Sequence, residues 1–293
     1  MERGSLTVET FDLQSTLESG QSYLWWREDG ADFEGTYGDE GWYLTTTRHG
    51  GEPALIRVRQ RGETLEWEST IDATPVLRRR LRLDDDLAAV RASVPDDELI
   101  ETAFDTYWGM RIVRDPPFGG LISFICSAQM RVSRIHGMQQ RLREGFGTPI
   151  EFNGTTLYAY PTPAQLAAAS ESELRDLSLG YRAPYVKATA EMVADGDDPE
   201  SVRGKPYEQA REALTRYVGV GDKVADCVLL FSLEYLEAVP LDTWIQKTIA
   251  EYYPDCDCGN YQETSRAIRE RLGGEYAGYT QTYIFHYLRN QEG

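Results

Sequence analysis

The stretch Tyr217-Val-Gly-Val-Gly-Asp-Lys-Val-Ala-Asp-Cys-Val-Leu-Leu-Phe231 constrains this chain more than any other. Before it, Tyr207, Ala210, Ala213, Leu214 and Tyr217 recur at helical spacing, so a helix over 207–217 runs into the turn. Gly219 and Gly221 bracket that turn, and an almost wholly apolar helix over 223–235 follows, which must be buried. A helix, a Gly-X-Gly hairpin and a helix form a compact way to aim N–H groups at a phosphate. Glycine lets backbone approach closely, and a helix N-terminus favours an anion. Most such turns only cap helices. This one is set apart by Lys223 at the start of the buried helix and by Asp242, in Pro240-Leu-Asp242, just beyond its end.

Burial and the positive end of the helix dipole both disfavour an ammonium at Lys223, so its pKa is expected to fall. A lysine in that state is an amine nucleophile able to form a Schiff base. Asp242 precedes a helical pattern over 242–252 and is expected at its N-cap, where N–H groups and the dipole keep a carboxylate ionised. Beside an amine it could stabilise a developing cation. From spacing alone the plainer alternatives stay open: a solvated surface lysine and an aspartate that only caps.

Residues up to about 71 read as β. Segments 23–28, 33–37, 42–48, 54–60 and 64–68 are separated by turn residues such as Asp29-Gly30 and Gly50-Gly51. Ile56 and Val58 alternate with Arg57 and Arg59, and Leu65 and Trp67 with Glu66 and Glu68. That pattern predicts an antiparallel sheet with one buried and one wet face. Residues 76–92 read as a helix with Arg78-Arg-Arg80 on its solvated face. Further helices are expected over 98–107, 119–144, 162–169, 170–177 and 184–195, and, past the central pair, over 242–252, 262–272 and 276–290. The fold class is therefore α+β, with an antiparallel β domain over 1–95 and a larger helical domain over 96–293.

The net charge of −18 argues against nucleic acid, whose partners normally carry a basic footprint. The only lysines are Lys187, Lys205, Lys223 and Lys247, the remaining basic residues being arginine. Acidic excess with scarce lysine fits adaptation to a salt-rich, prokaryote-like cytoplasm, and is read as habitat rather than function. Cys126 and Cys227 lie in apolar helices and are expected as buried thiols, while Cys256-Asp-Cys258 lies in an acidic loop without a second ligand pair. No long apolar run or signal-peptide pattern occurs, so an intracellular, soluble chain is expected. His49, His136 and His286 form no ligand or triad pattern.

Val218-Gly-Val-Gly-Asp-Lys-Val-Ala-Asp-Cys227 followed by Ala238-Val-Pro-Leu-Asp242 resembles the helix-hairpin-helix glycosylase superfamily, and within it the 8-oxoguanine DNA glycosylases. Leu17-Glu-Ser-Gly-Gln-Ser-Tyr-Leu-Trp-Trp-Arg27, Ser123-Phe-Ile-Cys-Ser127, Leu179-Gly-Tyr-Arg-Ala183 and Tyr276-Ala-Gly-Tyr-Thr-Gln281 are similar to family segments, in the family's order. The resemblance implies a TBP-like β domain ahead of the helical one. It also implies Lys223 as nucleophile, Asp242 as its partner, and a bifunctional glycosylase and lyase that needs no metal or redox cofactor. Extrusion of the damaged nucleotide would place the base against Gly20, Cys227, Gln281 and Phe285. In the family the glycine carbonyl accepts from N7–H, a donor that 8-oxoguanine has and guanine lacks. Gly219 and Gly221 would hold phosphates, Arg134 and Arg182 the unpaired base opposite, and Tyr181 the gap.

The match departs from the family at Gln129, where an asparagine is expected, and at Trp244, where a histidine is expected near the flanking phosphates. The implied partner is double-stranded DNA containing oxidised guanine, bound by a monomer without a membrane. A monofunctional alkylpurine glycosylase and a non-catalytic helix-hairpin-helix DNA-binding module are the competing readings; a chain unrelated to nucleic acid is suggested by charge alone.

Overall fold

The computed structural model describes residues 1–31, 38 and 40–291, so the strand expected over 33–37 lies outside the described residues. The alternating segments build one antiparallel sheet of β1 (Glu2–Thr7), β2 (Trp26–Arg27), β3 (Tyr43–His49), β4 (Glu52–Arg61) and β5 (Thr64–Ser69), in the order β1-β5-β4-β3-β2. Val58 stands opposite Trp67 on one side and Tyr43 on the other, and all three are buried. The opposite face carries Arg57 and Arg59, which pair with Glu68 and Glu66 and stack on Trp42.

That second face is not wholly wet. Leu44 and Leu55 on it are covered by Ile150 and Phe152 from a hairpin, β6 (Pro149–Phe152) and β7 (Thr155–Tyr158), that returns from the helical half. Asn153 and Gly154 at its tip both have positive φ, the requirement of a tight hairpin turn. Only two residues of the 23–28 segment join the sheet. Its backbone is diverted into side-chain bonds: Leu24 N–H donates to Ser22 Oγ, and its carbonyl accepts from Thr45 Oγ1.

A short helix α1 (Leu13–Glu18) precedes β2, and α2 (Thr74–Arg80) and α3 (Leu87–Ser93) follow β5. Residues 76–92 are thus two helices, not one. Arg82 has φ 49°, and Asp86 opens α3 by accepting from Ala89 N–H. The long helix expected over 119–144 is likewise divided. After α4 (Glu98–Thr106) come α5 (Pro117–Ser127) and α6 (Val132–Phe146), separated by residues 128–131, in which Gln129 has φ 53°. Then come α7 (Pro163–Ala168), α8 (Glu171–Leu174), α9 (Ala183–Ala194), α10 (Tyr207–Leu214), α11 (Asp222–Leu233), α12 (Thr243–Tyr252), α13 (Tyr261–Arg271) and α14 (Ala277–Gln291). The helix expected over 170–177 stops at Leu174, and a wide turn through Ser178 (φ 66°) leads to Tyr181.

From Val224 to Leu233 every residue of α11 is buried, Asp226 included. Phe231 stacks on Phe124 of α5 with ring centroids 5.8 Å apart. Gly278 of α14 is pressed against the loop after α11: its N–H donates to the Leu236 carbonyl at 2.8 Å, and a β-carbon there would meet the carbonyls of Leu236 and Ala238. That contact holds the end of α14 beside the approach to Asp242.

The Arg78-Arg-Arg80 run is solvated only in part. Arg80 is buried and pairs at 2.5 Å with Asp115, itself buried just ahead of α5. Arg80 also donates to Thr45 Oγ1 and the Thr46 carbonyl and lies over the Trp25 ring. Asp115 accepts from Ser22 as well. This pair clamps sheet to helices. Replacing Asp115 by Ala leaves a buried guanidinium without its counterion and is expected to cost about 3–5 kcal/mol, read as a lower urea midpoint at unchanged slope.

Candidate functional site

Two helix starts and one helix end frame the site. Lys223 sits in the first turn of α11, half-buried, with its Nζ donating to Ser127 Oγ at 3.5 Å and lying 5.9 Å from the Phe124 ring centroid. Ser127 is the last residue of α5. Asp242 is the N-cap of α12, its Oδ1 accepting from Ile245 N–H at 2.8 Å. One turn beyond Lys223, Cys227 is buried, and burial pushes its thiol up to about 11. The charge of Lys223 acts to lower that value and the charge of Asp242 to raise it. The three side chains therefore share one locale, and the same acid raises the neighbouring buried Tyr23.

The wall facing α11 comes from α14. Gln281, Phe285 and Arg289 are spaced by four residues and share one face. Judged by residue type alone, Gln281 belongs on the surface and Phe285 in the core. The structure reverses this: Gln281 is 6% exposed while Phe285 is half-buried. Gln281 Oε1 is buried with no hydrogen-bond partner among the described residues. An unmet buried acceptor costs about 1–3 kcal/mol, so its presence points to a group that arrives from outside. Gly20 faces the same space, since a β-carbon there would come within 3.3 Å of both Phe285 and Arg289. Arg289 donates to the Glu18 carbonyl at 2.7 Å, and Gln21 fixes the turn through bonds to Thr16, Ser19, Arg111 and Val113. Trp244 meets Phe285 edge-on, with centroids 6.2 Å apart, so it buttresses that ring.

Around this cleft lie the remaining predicted residues. Gln129 and Arg134 are exposed on and just after the α5–α6 loop. Arg182 is buried, donates to the Ala128 carbonyl and lies under the Tyr181 ring, so it organises the loop that presents Gln129. Tyr181 is 51% exposed and meets Tyr185 edge-on. Tyr185 in turn covers Gly219, whose φ of 84° and lack of a side chain let the hairpin pass that ring. Gly221 is the N-cap of α11 and, lacking a side chain, gives the first-turn amides no capping bond. Tyr23, Ser127 and Arg289 are site residues that the sequence reading missed. The four-residue spacing from Gln281 was the available signal for Arg289.

Behind the site Asp226 is fully buried, accepting from Tyr207 at 2.6 Å and Tyr261 at 2.8 Å, with Arg211 3.7 Å away. Burial pushes its carboxyl up to about 7 although these partners favour its charged form. His136 and His286 are driven down by burial, to about 4 and about 3, and so stay neutral near pH 7.

Residues 122–273 match the family model described as HhH-GPD superfamily base excision DNA repair protein, and residues 5–121 match that of the 8-oxoguanine DNA glycosylase N-terminal domain. The chain is 30% identical over 312 residues to a probable N-glycosylase/DNA lyase of Methanothermobacter thermautotrophicus, spanning 97% of this chain and 95% of that one. It is 32% identical over 278 residues to an N-glycosylase/DNA lyase of Saccharomyces cerevisiae, spanning 85% and 71%. Among solved structures it is similar to the Clostridium acetobutylicum 8-oxoguanine glycosylase/lyase in complex with dsDNA containing cytosine opposite to 8-oxoG. That likeness has a TM-score of 0.84 at 26% identity, covering 100% and 99% of the two chains.

Two solution measurements follow from the titrating groups. Cys258 is exposed whereas Cys126, Cys227 and Cys256 are buried, so at pH 8 iodoacetamide is expected to modify Cys258 first and Cys227 far more slowly, by peptide mass spectrometry. Asp226 binds its proton more tightly when folded than when unfolded, so its favourable share of stability is full below about pH 4 and lost as pH rises through about 7. Asp226→Asn should therefore gain on the wild type in unfolding free energy as pH rises from 4 to 7, with no further gain above.

Proposed function

The chain belongs to the HhH-GPD superfamily of base excision DNA repair proteins and carries the 8-oxoguanine DNA glycosylase N-terminal domain, and on that premise we propose how its residues act as an N-glycosylase/DNA lyase on 8-oxoguanine. The substrate is duplex DNA with the damaged nucleotide turned out of the stack. The buried, unpartnered Gln281 Oε1 beside the half-exposed Phe285 ring is the observation that carries the reading. A purine slid between Phe285 and Cys227 would stack on the ring and satisfy Gln281 along its pairing edge. The Gly20 carbonyl would accept from N7–H of the oxidised base; guanine offers a lone pair there and is repelled.

Lys223 attacks C1′ with its amine lone pair as the bond from C1′ to the base breaks, the base leaving with that electron pair. Asp242 stabilises the positive charge that builds on the sugar. Loss of the amine proton and opening of the ring give a Schiff base between Lys223 and C1′. Removal of a proton at C2′ then expels the 3′ oxygen with its phosphate, and the strand breaks on the 3′ side. Ser127 holds the amine before substrate arrives.

Tyr181 fills the gap left by the extruded nucleotide. Gln129 and Arg134 meet the base opposite, and Arg182 supports them from below. The amides at Gly219 and Gly221 take a phosphate at the helix start. Net charge of −18 leaves little general attraction for DNA, so these short-range contacts supply the affinity.

Borohydride trapping tests the scheme. Wild type should give a covalent protein–DNA adduct on an 8-oxoguanine duplex, in strong salt as well as dilute buffer, and Lys223→Gln none. Asp242→Asn should lower the single-turnover rate at least ~100-fold, the scale of a lost charge-stabilising group, with duplex affinity changed little. A wild type that removes the base yet forms no adduct would make the enzyme monofunctional; unchanged rates in Asp242→Asn would remove that residue from the chemistry, and a wild type that binds the duplex without excising the base would leave only a binding module.

A further inference from the structure

At the other end of α5 and α11 from Lys223 lies a cavity of about 550 Å³ that the base-excision reaction does not use. Ser232 lines it, nine residues and so about 13 Å along α11 from Lys223. The volume is that of an ordinary small-molecule pocket. Its character is opposite to that of the chain as a whole: Arg48, Arg79, Arg114 and Arg203 converge on it, in a protein of net charge −18.

The acids nearby do not cancel these charges. Asp115 lines the cavity but is held by Arg80 and Ser22. Arg114 and Arg203 share the single carboxylate of Glu234, and Arg203 also reaches Glu200, which lines the cavity too. The exposed Arg79 makes no ion pair among the described residues. Burial and the nearby guanidiniums of Arg82, Arg79 and Arg203 push Arg114 down to about 10, the mark of a cationic cluster short of anions.

Independent observations supply the rest of a site. The N-terminus of α5 opens into the cavity at Pro117, Phe118 and Gly119, where the N-cap Pro116 makes no side-chain cap and Phe118 and Gly119, unlike Pro117, carry an N–H. Ser232 is 1% exposed, and among the described residues neither its Oγ nor the buried Nε of Arg114 has a hydrogen-bond partner. Uncapped amides, planar guanidiniums and an unmet hydroxyl together match a phosphate. Tyr160 and Pro161 add an apolar wall.

We propose that this cavity is a second binding site, for a small organic phosphate of mononucleotide size, with its phosphate between Arg79, Arg114 and the start of α5. Its body lies against Tyr160 and Pro161. A phosphate of the DNA backbone has the same head chemistry, but the catalytic lysine is at the far end of both helices. Free nucleotide is therefore the source tested first.

Calorimetry on the intact chain with deoxyguanosine monophosphate as probe, and deoxyguanosine as control, decides the matter. The nucleotide should bind saturably. Arg79→Gln, at an exposed position that leaves folding intact, should weaken it at least tenfold, and Ser232→Ala should weaken it severalfold. Phe285→Ala should not change it, and Arg79→Gln should cleave 8-oxoguanine duplex like the wild type. The proposal fails if millimolar nucleotide does not bind, or if deoxyguanosine binds as tightly. It fails equally if Phe285→Ala abolishes binding while Arg79→Gln does not, which would put the nucleotide in the base pocket. Weakened duplex affinity in Arg79→Gln without nucleotide binding would make the arginine a strand contact instead.

Discussion

A carboxylate shut away from water holds the catalytic half together. Asp226 takes hydroxyl bonds from Tyr207 of α10 and Tyr261 of α13, with Arg211 close by, so one residue of α11 ties three helices. Tyr261 passes the tie onward: its hydroxyl accepts from the Leu241 amide at 3.1 Å, immediately before Asp242. Lys223 lies three residues before Asp226 and Cys227 directly after it, so only about 60° and 100° of helix turn separate them from the anchor. The tie that holds the helix therefore also fixes the two residues that line the cleft. Burial makes ionisation of this carboxyl costly and pushes it up to about 7, while one hydroxyl bond to each oxygen offsets part of the desolvation.

The two ends of the chain complete the cleft. Gly20 comes from the turn after α1 and Gln281, Phe285 and Arg289 from the final helix, and Arg289 bonds the Glu18 carbonyl to join them. The N-terminal sheet is therefore part of the site's construction, and the Arg80–Asp115 pair fixes its distance from α5. Because α5 and α11 lie side by side, one pair of their ends frames the cleft at Lys223 and the other the arginine-lined cavity.

How much of this was legible beforehand varies with the physics involved. The sheet was readable because a period of two shows directly in Ile56, Val58, Leu65 and Trp67. The central hairpin was readable because Gly219 and Gly221 punctuate an apolar run. The breaks at residues 82–86 and 128–131 were not read, since neither contains glycine or proline: a tertiary bond from Arg182 holds Ala128, while Asp86 caps α3 locally, a signal that was present in the sequence and overlooked. The covering hairpin was announced by Asn153-Gly154 and went unread. At the site, Lys223, Asp242 and the spacing of Gln281 with Phe285 came from sequence and resemblance. That the glutamine would be the buried member and the phenylalanine the open one could not, because exposure is decided by what the neighbouring helices cover.

Ser127, whose Oγ accepts from Lys223 Nζ, and the exposed Gln129 are separated by one residue at the end of α5. So short a span has no slack. On the proposed reading, a backbone shift that seated Gln129 against a partner base would also displace the hydroxyl bonded to Lys223. If those roles hold, choice of partner base and rate of attack are geared to a common lever at the end of α5.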